Sequence, residues 1–104
     1  MENLETKIMN IIVSSGDSKA KSFEALNKVK EGDYDGARLL MEEARKIDIE
    51  AHKAQTELIQ KELSGESESM MSLLMVHAQD HYMTSQLSRD LIEKLIDVFE
   101  SKEV

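Results

Sequence analysis

The chain has 104 residues, no cysteine, no proline and a formal net charge of −8. This length provides one hydrophobic core but not two, so a single helical domain over residues 1–104 is expected. The acidic excess argues against nucleic acid and anionic membranes as partners, because both need clustered Lys and Arg. Without cysteine there is no disulfide, thiolate nucleophile or zinc–thiolate site, as expected of a cytoplasmic protein. No apolar run approaches the roughly 20 residues that insert across a bilayer.

The absence of proline and the presence of only four glycines favour helices throughout. Hydrophobic periodicity predicts three long helices, at about 3–31, 34–64 and 68–101, joined by short turns. Short turns between long helices predict an all-α, up-down-up three-helix bundle.

The first predicted helix has an apolar face that is interrupted at residues 14–17, Ser-Ser-Gly-Asp. This polar, flexible stretch predicts a kink or a local break, and a division into two helices is an open alternative. The helix is expected to end before Gly32, which follows two lysines in the last turn. Its predicted apolar face comprises Leu4, Ile8, Ile11, Ile12, Phe23, Leu26 and Val29.

The second predicted helix has Asp33 as a favourable N-cap and ends near the small, polar segment 64–69. Its apolar positions alternate in steps of three and four, which is typical of helices packed at a shallow angle. The many alanines indicate a close approach to a neighbouring helix. These positions are Ala37, Leu40, Ala44, Ile47, Ala51, Ala54 and Leu58.

The third predicted helix has two apolar faces, so one can pack in the bundle and the other is left for a partner or another copy. We therefore expect an oligomer. The first face is polar in its middle and comprises Met71, Leu74, Ala78, His81, Ser85, Ser88, Ile92, Leu95 and Phe99. The second face comprises Leu73, Val76, Asp80, Met83, Leu87, Leu91 and Val98.

A polar cluster near the start of this helix is the candidate functional site. His77, Asp80 and His81 are spaced i, i+3, i+4 and therefore fall on one side of a helix. Asp80 has apolar neighbours on its face, where a carboxylate is costly unless it is paired, protonated or bound to a metal.

Three interpretations of the cluster are open from the residues alone. In a non-catalytic helical oligomer or adaptor, the cluster would only fix the packing register. In a small helical metal-binding protein, His77 and His81 would chelate an ion with Asp80 as third ligand, although Ala78 stands where a metalloprotease motif requires Glu. In a phosphocarrier, an imidazole would accept a phosphoryl group, with Gln79, Thr84 and His81 as nearby donors. No nucleotide-binding motif is present, so the phosphoryl donor would be another phosphoprotein.

Residues 75–84, Met-Val-His-Ala-Gln-Asp-His-Tyr-Met-Thr, resemble the signature of a known family. It is the enzyme IIA component of the lactose/cellobiose (chitobiose) class of the bacterial phosphoenolpyruvate-dependent sugar phosphotransferase system. Residues 50–58 are similar to a second family segment and residues 32–34 to its first turn. Tyr82 departs from the family pattern, in which many relatives have Leu, and the turn at residues 65–69 is of variable character.

The resemblance implies a homotrimer of three-helix subunits that forms a nine-helix bundle. It implies that His77 accepts a phosphoryl group from the phosphohistidine of the carrier protein HPr and passes it to a cysteine of the IIB component. Gln79 and His81 are then expected to support the phosphorylated ring. One Asp80 per subunit is expected to converge on the threefold axis around a divalent cation, with magnesium as the expected ion. In this class the membrane component binds the sugar, so this chain need not contact it.

Two further expectations concern the surroundings of the cluster. His52, in the second helix, is interpreted as a half-exposed polar position without a catalytic role. The apolar side chains around His77, namely Leu73, Leu74 and Val76, are predicted to form the docking patch for both partner proteins.

Overall fold

The computed structural model describes residues 3–65 and 73–103, and these residues form three α-helices and no strand. Helix α1 spans Leu4–Lys30, α2 spans Tyr34–Ser64 and α3 spans Leu73–Ser101. The predicted all-α three-helix class is confirmed. The predicted start of the third helix at residue 68, and Met71 of its first face, lie outside the described residues. The bundle measures 57 × 21 × 19 Å, and none of the described helices is long and apolar enough to cross a membrane.

The helix ends follow from local side-chain chemistry. Asn3 Oδ1 accepts a hydrogen bond from the Thr6 backbone N–H, and Asp33 Oδ1 accepts one from the Gly36 N–H, each at 2.8 Å. Asp33 is thus the N-cap that the sequence predicts. A Cβ at Gly36 would collide with the Asp33 carboxylate, so glycine allows this cap to close. Gly32 adopts a positive φ of 76°, which ends the α1 turn at little steric cost.

Helix α1 is continuous through residues 14–17, so the predicted break and the two-helix alternative are wrong. The serines of this region form a packing surface. Ser18 is buried, and its hydroxyl donates to the Ala44 carbonyl of α2 at 3.1 Å. The buried Ser22 hydroxyl donates to the Ser18 carbonyl at 3.0 Å. Both hydroxyls donate to backbone carbonyls, and the small serine side chains let α2 pack closely against α1.

The predicted apolar face of α1 is correct at Ile8 and Ile11, which are buried, but wrong at Phe23, which is 52% exposed. The buried stripe passes through Ser22 and Ala25 instead. A helix turns by 100° per residue, so the change from Phe23 to Ser22 rotates the inward face away from the aromatic ring. The hydrophobic pattern favoured the large Phe23 for the inward face. In the bundle the smaller Ser22 is buried there, because it allows closer packing.

The core consists of two apolar clusters. The upper cluster lies on the segment of α3 that carries the histidines, and the lower cluster lies toward the other end. On every helix, buried polar residues fall between the two clusters in sequence and form a polar middle layer. The upper cluster comprises Ile8, Ile11, Ala51, Leu58, Met75, Ala78 and Tyr82. The lower cluster comprises Ala25, Ala37, Met41, Ile92 and Ile96. The polar middle layer comprises Ser15, Ser18, Ser22, Asp48 and Ser85.

Candidate functional site

His77 and His81 lie one turn apart on α3, with their Nε2 atoms 3.1 Å from each other. Their ring centroids are 4.4 Å apart and the rings meet edge to face at 84°. His77 is exposed, whereas His81 is half-buried. A hydrogen bond between two Nε2 atoms needs one N–H donor and one lone pair, so the accepting imidazole is neutral. The pair therefore places one imidazole N–H against one imidazole lone pair, with the exposed His77 ring at the surface.

The Thr84 and Ser88 hydroxyls, which follow the histidines, are bonded to backbone carbonyls of α3. Thr84 Oγ1 lies 2.8 Å from the Asp80 carbonyl oxygen and 3.2 Å from that of His81. Ser88 Oγ donates to the Thr84 carbonyl at 2.8 Å. Thr84 was a candidate donor to the reactive ring, but within one chain its hydroxyl proton is used by the backbone of the preceding turn.

Gln79 lies on another side of α3, because two residues along a helix correspond to a rotation of about 200°. Its Oε1 accepts a hydrogen bond from Gln55 Nε2 of α2. The structure therefore brings His81 to His77 but does not bring the Gln79 side chain to it within one chain.

Asp80 is exposed and stands among exposed apolar side chains. Met83 is 62% exposed and Leu87 is 66% exposed. This agrees with the prediction that α3 has a second apolar face that the bundle does not use. We call it the outer α3 face, with the apolar members Leu73, Val76, Met83, Leu87, Leu91 and Val98.

The chelate that the sequence suggested would be formed by side chains of one chain. Among residues 3–65 and 73–103, no group of three or more His, Cys, Asp or Glu side chains is arranged to hold a metal ion. The interpretation in which His77, Asp80 and His81 of a single chain bind an ion therefore gains no support from the described residues.

A row of polar contacts joins α2 to α3, and the sequence analysis missed it. We call it the α2–α3 ladder. Decreasing residue numbers on α2 pair with increasing numbers on α3, as antiparallel helices require. An isolated sequence shows only scattered polar residues here, because the pairing becomes visible once the register between the helices is known. The pairs are Gln55–Gln79, His52–Tyr82, Asp48–Arg89, Arg45–Glu93, Arg38–Asp97 and Arg38–Glu100.

The middle of this ladder is buried. Arg89 Nη1 donates to Asp48 Oδ2 at 2.8 Å, and both side chains are largely removed from solvent. The Tyr82 hydroxyl is 2.9 Å from His52 Nδ1. Burial raises the pKa of Tyr82, and the nearby Asp48 carboxylate raises it further, whereas Arg89 lowers it. The phenol therefore stays protonated at neutral pH. His52, interpreted from sequence as a half-exposed polar position, is exposed but has a defined partner.

The sequence of this chain is similar to those of known proteins. The family model described as "PTS system, Lactose/Cellobiose specific IIA subunit" matches residues 6–100. The N,N'-diacetylchitobiose-specific EIIA component of Escherichia coli K12 is 42% identical over 99 residues, covering 95% of this chain and 84% of the relative.

Two solved structures have the same fold. The cellobiose-specific enzyme IIA of Bacillus anthracis superposes with a TM-score of 0.87 at 36% identity, covering 99% of this chain and 97% of the other. The IIA(chitobiose) chain of an Escherichia coli IIA(chitobiose)–HPr complex gives a TM-score of 0.84 at 40% identity, covering 97% of both chains. These matches define the class as a helical component of the sugar phosphotransferase system. The chain belongs to the lactose/cellobiose-specific IIA subunit family.

Proposed function

We propose that this protein is a phosphocarrier in sugar uptake, which accepts a phosphoryl group on His77 from phospho-HPr and passes it to a cysteine of the IIB component. The observation that carries the proposal is the exposed His77 imidazole, whose Nε2 lies 3.1 Å from His81 Nε2. Family membership supports the role, and a relative of 40% identity has been solved in complex with HPr.

The geometry supports Nε2 of His77 as the nucleophile. His77 then carries its proton on Nδ1, and its Nε2 lone pair accepts the hydrogen bond from the Nε2–H of His81. The hydrogen bond from His81 opens, and the freed Nε2 lone pair then attacks the phosphorus of the donor phosphohistidine. The new N–P bond forms as the donor N–P bond breaks, and the donor nitrogen recovers its lone pair. No proton has to leave Nε2 of His77.

His81 serves first to select the tautomer of His77 and then to stabilise charge. Once Nε2 of His77 carries phosphorus, the Nε2–H of His81 can donate to a phosphoryl oxygen. Phosphoryl transfer disperses negative charge over three oxygens, so a positioned donor contributes more than acid–base chemistry. In the onward step a cysteine thiolate of IIB attacks the phosphorus, and the electron pair of the N–P bond returns to Nε2.

The decisive experiment is intact-mass analysis after incubation with phosphoenolpyruvate, enzyme I and HPr. We expect one acid-labile, base-stable phosphoryl group per chain and none in the His77→Ala variant. The His81→Ala variant is expected to be phosphorylated more slowly at the same residue. If HPr is verifiably phosphorylated and the wild-type chain gains no mass, the carrier proposal is overturned in favour of a non-catalytic helical oligomer or adaptor.

We further propose that the outer α3 face from Asp80 to Val98 is covered by other copies of the chain in a homotrimer, giving a nine-helix bundle. An exposed apolar stripe along most of a helix is a typical interaction surface. Asp80 from each copy would then face the threefold axis. Three carboxylates repel each other, and a hard divalent cation such as Mg²⁺ relieves this repulsion through oxygen ligands. The carboxylate of Asp80 has the right donor chemistry, but one chain supplies only one such group.

Sedimentation of two matched variants tests this assembly. Asp80→Leu is expected to retain or strengthen the trimer, because apolar packing replaces buried charge. Leu87→Lys is expected to release monomers, since it places a charge on the same face without a partner. Monomeric Asp80→Leu, or a trimeric Leu87→Lys, would contradict the converging-carboxylate arrangement.

The docking patch for HPr and IIB is proposed to include Leu73, which is 87% exposed and lies one turn before His77. Half-buried Leu74 and exposed Val76 are its neighbours. Leu73→Glu should weaken phosphoryl transfer while sedimentation still shows a trimer, because the remaining outer α3 face is unchanged. Unchanged transfer rates would remove Leu73 from the patch.

A further inference from the structure

Two hydrogen bonds from α2 reach α3 directly behind the histidine pair. Gln55 Nε2 donates to Gln79 Oε1, and His52 Nδ1 pairs with the Tyr82 hydroxyl at 2.9 Å. Gln79 and Tyr82 flank His81 in sequence, and His81 is the side chain that contacts His77. The two α2 side chains are therefore attached to the same turn of α3 that carries the reactive pair.

The apolar packing beneath this turn combines small and large side chains. Ala51 and Ala54 on α2 and Ala78 on α3 are small, whereas Leu58 and Tyr82 of the same cluster are large. Small side chains allow close approach of two helices, but they interdigitate less than large ones. Directional hydrogen bonds on one side of α3 add a restraint on its rotation, because their length and angle change as the helix turns about its axis.

A small rotation matters for the reaction. A side-chain atom about 6 Å from the helix axis moves by roughly 1 Å when the helix turns by about 10°. A displacement of roughly 1 Å can cost a reaction up to about 100-fold, because the reacting atoms must be aligned. The His77 imidazole contains the reacting nitrogen, so a rotation of α3 would displace the reacting atom.

We propose that His52 and Gln55 are positioning residues for phosphoryl transfer at His77. They touch neither the phosphoryl group nor His77, and they act by fixing the rotation of α3 through Tyr82 and Gln79. This inference rests on the proposed carrier function. It gives His52 a role in the reaction that the sequence interpretation did not assign.

The test compares single-turnover transfer from phospho-HPr in four variants, with the donor concentration varied to saturation. His52→Ala and Gln55→Ala are each expected to lower the saturating rate by roughly tenfold with little change in the half-saturating donor concentration. His52→Asn should restore most of the rate, since the Asn side-chain amide can stand near Nδ1 and bond the phenol. Arg38→Ala is the matched control, because it breaks the α2–α3 contacts at Asp97 and Glu100, far from His77.

The outcomes separate this inference from the carrier function itself. A wild-type chain that is never phosphorylated overturns the carrier function and the inference together. A phosphorylated wild type with unchanged rates in His52→Ala and Gln55→Ala overturns the inference alone. An equal loss of rate in Arg38→Ala also overturns it, because the effect would then reflect general loosening of the bundle. A rise in half-saturating donor concentration without a change in saturating rate would assign the two residues to docking instead.

Discussion

The two ends of the α2–α3 ladder are built from different chemistry. Behind the histidines the contacts are hydrogen bonds without a carboxylate, an amide pair between Gln55 and Gln79 and the Tyr82 phenol with the His52 ring. At the other end they are exposed ion pairs, such as Arg38 with Asp97 at 3.2 Å. Uncharged hydrogen bonds are directional and insensitive to salt, whereas exposed ion pairs contribute little and are screened. The end that carries the reactive pair is therefore the end that is held in a defined geometry.

Between these ends lies the buried Asp48–Arg89 pair, in the polar middle layer that separates the two apolar clusters. Such a layer adds less hydrophobic stabilisation than an apolar one. In return, the Asp48–Arg89 pair forms only when the helices have one register, since a shifted helix would leave a charge unpaired. Three variants test this contrast, one at the centre of the ladder, one near the histidines and one at the exposed end.

The largest effect is expected for Asp48→Ala. This variant leaves Arg89 buried without its carboxylate and should lower the free energy of unfolding by about 3–5 kcal/mol. Urea unfolding monitored by circular dichroism measures the change. The double variant Asp48→Ala, Arg89→Met should recover much of the loss, because it removes both charges. A loss below about 1 kcal/mol in the single variant would show that the buried pair does not organise the centre.

A smaller effect is expected for Tyr82→Phe, which removes the hydroxyl that pairs with His52. The free energy of unfolding should fall by about 1 kcal/mol at neutral pH. The folded-state pKa of Tyr82 is raised above 10.0 by burial and by Asp48, so its contribution is fully present below pH 10. This contribution is lost as the pH rises through the folded-state pKa.

Urea titrations at increasing pH check the sign of this linkage. Above pH 10 the wild-type protein should lose stability more steeply than Tyr82→Phe does. Tyr34, whose pKa is also raised, chiefly by its hydrogen bond with Glu103, is present in both proteins and cancels from the difference. Parallel pH profiles for the two proteins would mean that the phenol is not held protonated by its surroundings.

The smallest effect is expected for Arg38→Ala at the exposed end. Its ion pairs are solvent-accessible, so the free energy of unfolding should change by less than about 1 kcal/mol. The difference from the wild type should shrink further when salt is raised, because ions screen exposed charges. A salt-independent decrease of several kcal/mol in the free energy of unfolding would contradict the proposed difference between the two ends of the ladder.

The sequence was sufficient where the signal is local. Asp33 was predicted as an N-cap because its carboxylate needs only the backbone three residues away. The alternation at Ala37, Ala44, Ala51 and Leu58 located the buried face of α2 because side-chain direction repeats along one helix. The pairing of His77 with His81 followed from their spacing on α3 for the same reason.

The sequence failed where a residue's role depends on another helix. Residues 14–17 looked like a break, because their polarity was judged without the Ala44 carbonyl that the nearby Ser18 hydroxyl contacts. The contact of Gln79 with Gln55, 24 residues earlier, was likewise missed, and support of the phosphorylated ring by Gln79 stays a prediction. The spacing of residues along the sequence does not predict a hydrogen-bond partner on another helix.

The sequence by itself determined three helices, the Asp33 cap, the end of α1 before Gly32, the exposed second face of α3 and the histidine pair. All of these depend on neighbours within about one or two turns, where helix geometry fixes distances in advance. Only the tertiary structure decided that α1 runs unbroken through its serines and that His52 and Gln55 lie behind the reactive turn. Those features depend on the register between helices, which is set by close packing of small side chains and by the pairing of buried polar groups.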